Sequence, residues 1–143
     1  MNTVTCLEQV FCNNFVAYFK AHASHVNIIG RNFTSDHALL GSIYEDLQEH
    51  IDTIGELLRT LQTSMPDALQ DILDASDISV NANTGTSEEM LASTRDDLAL
   101  LRSTFEELMD VAETEGHKEI ANYCQDRILK LNKFIWQLDV TLE

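Results

Sequence analysis

Apolar residues recur every three or four positions from Val4 to Ile29, at Val4, Leu7, Phe11, Phe15, Tyr18, His22, Val26 and Ile29. That period places them on one stripe of an amphipathic helix. Gly30 is placed to end the helix, and Arg31, Asn32 and Phe33 read as a short connector. Thr34, Ser35 and Asp36 then offer a choice of N-cap for a second helix, whose inner face is Leu40, Ile43, Leu47, Ile51, Ile54, Leu58 and Leu61. Further on, Thr86 and Glu89 have capping-box spacing and lead into Leu91, Thr94, Leu98, Leu101, Phe105, Leu108 and Ala112. Gly116 breaks this third stripe. A fourth carries Ile120, Cys124, Ile128, Leu131, Ile135, Leu138 and Leu142.

Between the second and third stripes, Pro66 is suited to the first turn of a short helix over residues 67–76. The turn formers of residues 78–86, ISVNANTGT, follow it. Two hairpins of long helices joined by one long connection predict an all-α fold: a four-helix bundle with the ferritin-like connectivity and a short helix in the crossover between helices 2 and 3. The 143 residues fit a single domain over 1–143, with no internal repeat. Gly41 and Gly55 lie inside the second helix, each costing about 1 kcal/mol relative to Ala. They read either as tolerated weakness or as places where a second helix approaches closely, as a symmetric interface requires.

Charge narrows the partners. Acids number 24 against nine bases, for a net charge of −15, and the bases are scattered without a cluster or basic tail. Such a surface repels phosphate backbones and attracts cations, so direct DNA binding is not expected. No run of about eighteen apolar residues is present, and the opening MNTVTCLEQVF lacks a basic region followed by an apolar one. The expectation is a soluble cytoplasmic protein with no membrane contact. Cys6, Cys12 and Cys124 are odd in number and lack CxxC spacing, which fits small buried residues in a reducing compartment.

The candidate chemistry lies between His25 and Glu56. His25 and His37 supply imidazoles, and Asp52 and Glu56 supply carboxylates one helical turn apart; a borderline or hard divalent metal takes both ligand types. If one helix runs past Glu56, the fifteen residues from His37 to Asp52 span roughly 22 Å, beyond side-chain reach. A site using all four therefore needs a second copy, most simply across a two-fold axis, and the chain is expected to form a homo-oligomer. Taken separately, the carboxylates also fit a solvated face and the histidines surface or core positions. His22 and His25 are i and i+3 but have no third ligand in register, so His22 reads as interfacial or core. His50 and His117 read as surface. No ExxH sequence, Gly-rich phosphate loop or nucleophile elbow is present.

The string HxNxxGxNFxxxHxLLxxxYxxLxxxxDxxxE, with its spacing of 12, 15 and 4 between His25, His37, Asp52 and Glu56, resembles the ferroxidase segment of the Dps family of mini-ferritins. The crossover, SEEMLASTRDDLALL and DRILKLNKFIWQL extend the resemblance over nearly the whole chain. It implies a hollow dodecamer that oxidises Fe(II), preferentially with hydrogen peroxide, and stores ferric iron; other divalent cations can occupy the same ligands. Carried over, His25 and His37 come from one chain and Asp52 and Glu56 from its partner. The family often has Asp where this chain has Gly41 and Trp where it has Val26. The first change weakens a second iron position, and the second removes a redox-active ring. The family's acidic entry pores point to Glu113, Glu115, Glu119 and Asp126, although Asn122 stands where an acid is common. DNA binding in the family rests on basic tails, and this chain starts almost at its first helix and stops at Glu143. The alternatives are a Dps-like structural shell with a degraded metal centre, or a DNA-protecting protein.

Overall fold

The computed structural model describes residues 1–143 as five helices and no strand. They are α1 (Thr3–Asn27), α2 (Phe33–Thr60), α3 (Leu69–Ala75), α4 (Ser87–Thr114) and α5 (Lys118–Thr141). The four long helices form the expected bundle: α1 packs on α2 and on α4, and α4 on α5, with α3 resting on α1. Polar side chains on α1 fix the crossover. Gln9 donates to the Ala75 carbonyl at 2.8 Å, and Asn13 accepts from the Asp77 N–H at 2.8 Å. These bonds satisfy backbone groups that the irregular connection cannot pair within itself.

The ends follow local chemistry. The Thr86 hydroxyl accepts from the Glu89 N–H while the Glu89 carboxylate accepts from the Thr86 N–H, each at 3.1 Å, so the expected capping box is formed. Gly116, at φ +82°, closes α4: the His117 N–H reaches the Ala112 carbonyl at 2.8 Å and the Gly116 N–H reaches Glu113 at 3.1 Å. The same motif ends α2 with Gln62 at φ +61°, a left-handed conformation that a side chain disfavours.

Three local expectations are corrected. Phe33 is the first residue of α2 rather than part of the connector, and the N-cap is Asn32 rather than Thr34, Ser35 or Asp36. Pro66 precedes α3, whose N-cap is Ala68, so its ring stiffens the approach rather than starting the helix. On α1 the stripe is rotated. Val26 is exposed, Ile29 lies beyond the helix end and is exposed too, and Val4, Phe15, Tyr18 and His22 are half-buried, while Val10, Asn14, Ala17, Ala21 and Ser24 join Leu7 and Phe11 inside. Small and amide side chains let α1 sit close to both neighbours, with the Asn14 amide donating to the Leu47 carbonyl at 2.9 Å. The stripe of α4 is buried as expected, and that of α5 is buried except at half-buried Ile128 and Leu142.

α2 and α5 are joined by long polar side chains. Arg127, almost fully buried, makes a two-point contact with Asp46 at 2.6 and 3.2 Å. His50 Nδ1 lies 2.7 Å from the Tyr123 hydroxyl, and its Nε2 lies 3.9 Å from Asp46. His50 is therefore a half-buried member of an interhelical network, not the surface residue expected. Burial and the neighbouring Arg127 charge hold its pKa below the usual value.

Candidate metal centre

The turn from α1 into α2 brings the two histidines together. Their rings stack with centroids 3.7 Å apart and planes 18° from parallel. Each Nδ1 faces the other residue's backbone carbonyl, His25 to His37 at 2.6 Å and His37 to His25 at 2.7 Å. A carbonyl only accepts, so each Nδ1 carries the proton and donates it. In the neutral rings both Nε2 lone pairs are then bare, and the carbonyl bonds fix the orientation of each imidazole.

The wall behind this pair is aromatic. Phe33 stacks on His37 at 4.8 Å, Tyr44 lies 5.0 Å from His25, and His22 stacks on Tyr44 at 3.9 Å with planes 7° apart. His22 is thus part of a ring stack on the outer side of the α1–α2 hairpin. Gly41 makes room for it. A Cβ built there lies 3.0 Å from His25 Cε1 and 3.2 Å from its Nδ1, so a side chain at this position would press on the His25 ring of its own chain. Gly55 likewise faces Met65, with Sδ at 2.8 Å from a built Cβ.

Asp52 and Glu56 lie exposed on α2, one turn apart. A hydrogen bond and the charge of Asp52 push the Glu56 carboxyl above its ordinary range, the signature of two carboxylates sharing a site. α2 is unbroken from Phe33 to Thr60, so about 22 Å of helix separates this pair from His37. The fold brings His25 to His37 and Asp52 to Glu56, but not one pair to the other. Within one chain no three His, Cys, Asp or Glu side chains are grouped to hold a metal.

The four candidate pore acids divide. Glu113, Glu119 and Asp126 are exposed, and His117 Nδ1 stands 3.9 Å from Glu119. Glu115 has a structural partner, accepting from the Thr3 N–H at 2.6 Å and from the Thr3 hydroxyl at the start of α1; these bonds hold its carboxyl below the usual range.

A bundle with one long crossover and a His pair and carboxylate pair on its first hairpin defines the ferritin-like class, and the family model for the ferritin-like domain matches residues 5–143. The "DNA protection during starvation protein" of Helicobacter pylori is 27% identical over 143 residues, covering 99% of each chain. Antigen TpF1 of Treponema pallidum is 30% identical over 138 residues, covering 96% of this chain and 78% of that one. The crystal structure of a Dps protein from Bacillus brevis superposes with a TM-score of 0.93 at 26% identity, covering 99% of this chain and 95% of that one. This chain belongs to the Dps family of mini-ferritins, iron-binding proteins of the ferritin-like superfamily. No helix is long and apolar enough to cross a membrane.

Proposed function

We propose that the protein is a cytoplasmic ferroxidase that oxidises Fe(II) with hydrogen peroxide at sites shared between two copies and stores ferric iron in a hollow dodecamer. One observation carries the reading: the reciprocal Nδ1 bonds of His25 and His37, which leave both Nε2 atoms without a hydrogen-bond partner in the chain. The carboxylates that match them lie out of reach on the same helix, so a two-fold-related copy supplies the other pair. Iron is the substrate. Asp52 and Glu56 hold the first Fe(II), whose charge relieves their mutual repulsion, and the imidazoles complete its shell. Gly41 supplies no carboxylate beside His25, so each site has one strong iron position.

The test is anaerobic Fe(II) loading followed by stoichiometric peroxide. Wild type should oxidise iron faster than a His25→Ala, Glu56→Ala double variant, and equal rates refute the reading. Native mass should be that of a dodecamer; a monomer removes the shared site. Gly41 and Val26 favour a second reading, a shell with a degraded metal centre. It predicts no ordered metal at the two-fold interface after millimolar Fe(II) or Zn(II). DNA protection, the role in the name of the Helicobacter relative, is opposed by the net charge of −15 and predicts a gel shift at low salt.

A further inference from the structure

The aromatic wall behind the histidines continues away from the metal centre. From His25 it passes to Tyr44 at 5.0 Å, from Tyr44 to His22 at 3.9 Å, and ends in a hydrogen bond of 2.9 Å between His22 Nδ1 and the Tyr18 hydroxyl. Gln48 Nε2 donates to that hydroxyl at 3.4 Å, and with His22 as the Nε2–H tautomer the phenol donates its own proton to Nδ1. Oxidation of a phenol is easy only when its proton leaves together with the electron, and a hydrogen-bonded imidazole is a suitable acceptor. The rings follow one another in contact, half-buried on the α1–α2 hairpin.

We propose that Tyr18 is a redox-active residue that supplies the second electron when one Fe(II) at the metal centre meets hydrogen peroxide. The proposal rests on the ferroxidase reading above. A lone Fe(II) gives one electron, whereas reducing peroxide to water takes two; with no second donor the remainder is a hydroxyl radical. Tyr18 sends its electron through His22, Tyr44 and His25 and its proton to His22 Nδ1. The O–O bond breaks and both oxygens leave as water with two protons from solvent. Fe(II), the phenol, peroxide and those protons thus become Fe(III), a tyrosyl radical beside protonated His22, and two waters. The next Fe(II) reduces the radical, His22 returns the proton, and the cycle consumes two Fe(II) per peroxide one at a time.

The experiment loads the assembled protein anaerobically with one Fe(II) per site, adds one equivalent of hydrogen peroxide, and records freeze-quenched electron paramagnetic resonance spectra. A tyrosyl signal is expected in wild type, with loss in Tyr18→Phe, a rise of spin-trapped hydroxyl radical in that variant, and decay of the wild-type signal on a second Fe(II) addition. A parallel arm flashes iron-free protein with photo-oxidised ruthenium tris-bipyridine. Tyr18 oxidation there should show a solvent deuterium isotope effect that His22→Phe removes. Normal iron oxidation with a radical signal unchanged in Tyr18→Phe, or with none at all, overturns the relay alone. Failure of wild type to oxidise iron with peroxide brings down the ferroxidase reading and the relay with it. An isotope effect that survives in His22→Phe removes the proton acceptor and overturns the mechanism as written.

Discussion

Replacing Gly41 by Ala tests the histidine lock in isolation, because two effects of known sign oppose each other. Alanine favours the helix by about 1 kcal/mol over glycine. Its Cβ, however, arrives 3.0 Å from His25 Cε1 and 3.2 Å from Nδ1, so the ring must give way by a few tenths of an ångström. That ring is clamped between His37 and Tyr44 and bonded to the His37 carbonyl. Overpacking costs about 1–3 kcal/mol and the weakened hydrogen bond about 1 kcal/mol, leaving a net loss of about 1–3 kcal/mol. At about 2–4 °C per kcal/mol for a chain of this size, the melting temperature falls by roughly 2–12 °C. Metal affinity should fall by a comparable amount, because losing a bond that orients a metal-binding imidazole typically costs about 10–100-fold. Gly55→Ala is the matched control. Its new Cβ meets Met65 Sδ at 2.8 Å, the flexible end of a side chain that is 41% exposed and free to move, so this variant should gain about 0.5–1 kcal/mol. Thermal unfolding and Co(II) titration followed by absorption read both. Wild-type Co(II) affinity in Gly41→Ala, or destabilisation by Gly55→Ala, would refute the reasoning.

The interhelical network gives the next prediction: Asp46→Ala strands the buried Arg127 charge and should destabilise by about 3–5 kcal/mol in urea unfolding, whereas a loss under 1 kcal/mol would mean that water reaches the pair. His50 sets a pH dependence whose sign follows from its lowered pKa. The unfolded chain takes up this proton near 6.5 and the folded chain only below that, so stability is full above 6.5 and declines as pH falls beneath it. His50→Gln should flatten that decline, and an unchanged slope would assign it to other groups. Gln62→Gly relieves the left-handed residue at the end of α2 and should raise stability by about 1 kcal/mol, which calorimetry can check against Gln62→Ala, expected to be near neutral.

The helices of the second hairpin were legible because their stripes are apolar except at Thr94 and their ends carry strong signals, Thr86 with Glu89 and the Gly116 stop. α1 was legible as a helix but not in its rotation. Its buried face includes Asn13, Asn14, Lys20 and Ser24, which hydropathy assigns to solvent, and Lys20 is inside because Asp97 of α4 meets it at 2.9 Å. Pairings of this kind depend on distant segments and leave no local period. The ligand types of the candidate site were legible from spacing, as was their separation along α2. The reciprocal carbonyl bonds were not, since they depend on the path of residues 28–32. Gly41 could be read as a missing carboxylate, a tolerated weakness or a close helix approach, but its contact with the His25 ring left no signal in the sequence.

On the proposed reading the two residue pairs depend on assembly in different ways, which ties metal binding to oligomerisation. The histidine lock is bonded entirely within one chain and needs no partner to form. The carboxylates have no cationic partner in their own chain, and their crowding is apparent in the raised Glu56 pKa. On the proposed reading a metal bound by both pairs binds only the associated form, and a ligand present at a hundredfold its dissociation constant stabilises that form by about 2.7 kcal/mol per site. Co(II) should therefore shift sedimentation of dilute protein toward the assembled species. His25→Ala should abolish that shift and leave the metal-free association constant close to wild type. If Co(II) promotes assembly equally in His25→Ala, the ion is screening surface acids, and the shared centre is not the link between metal and shell.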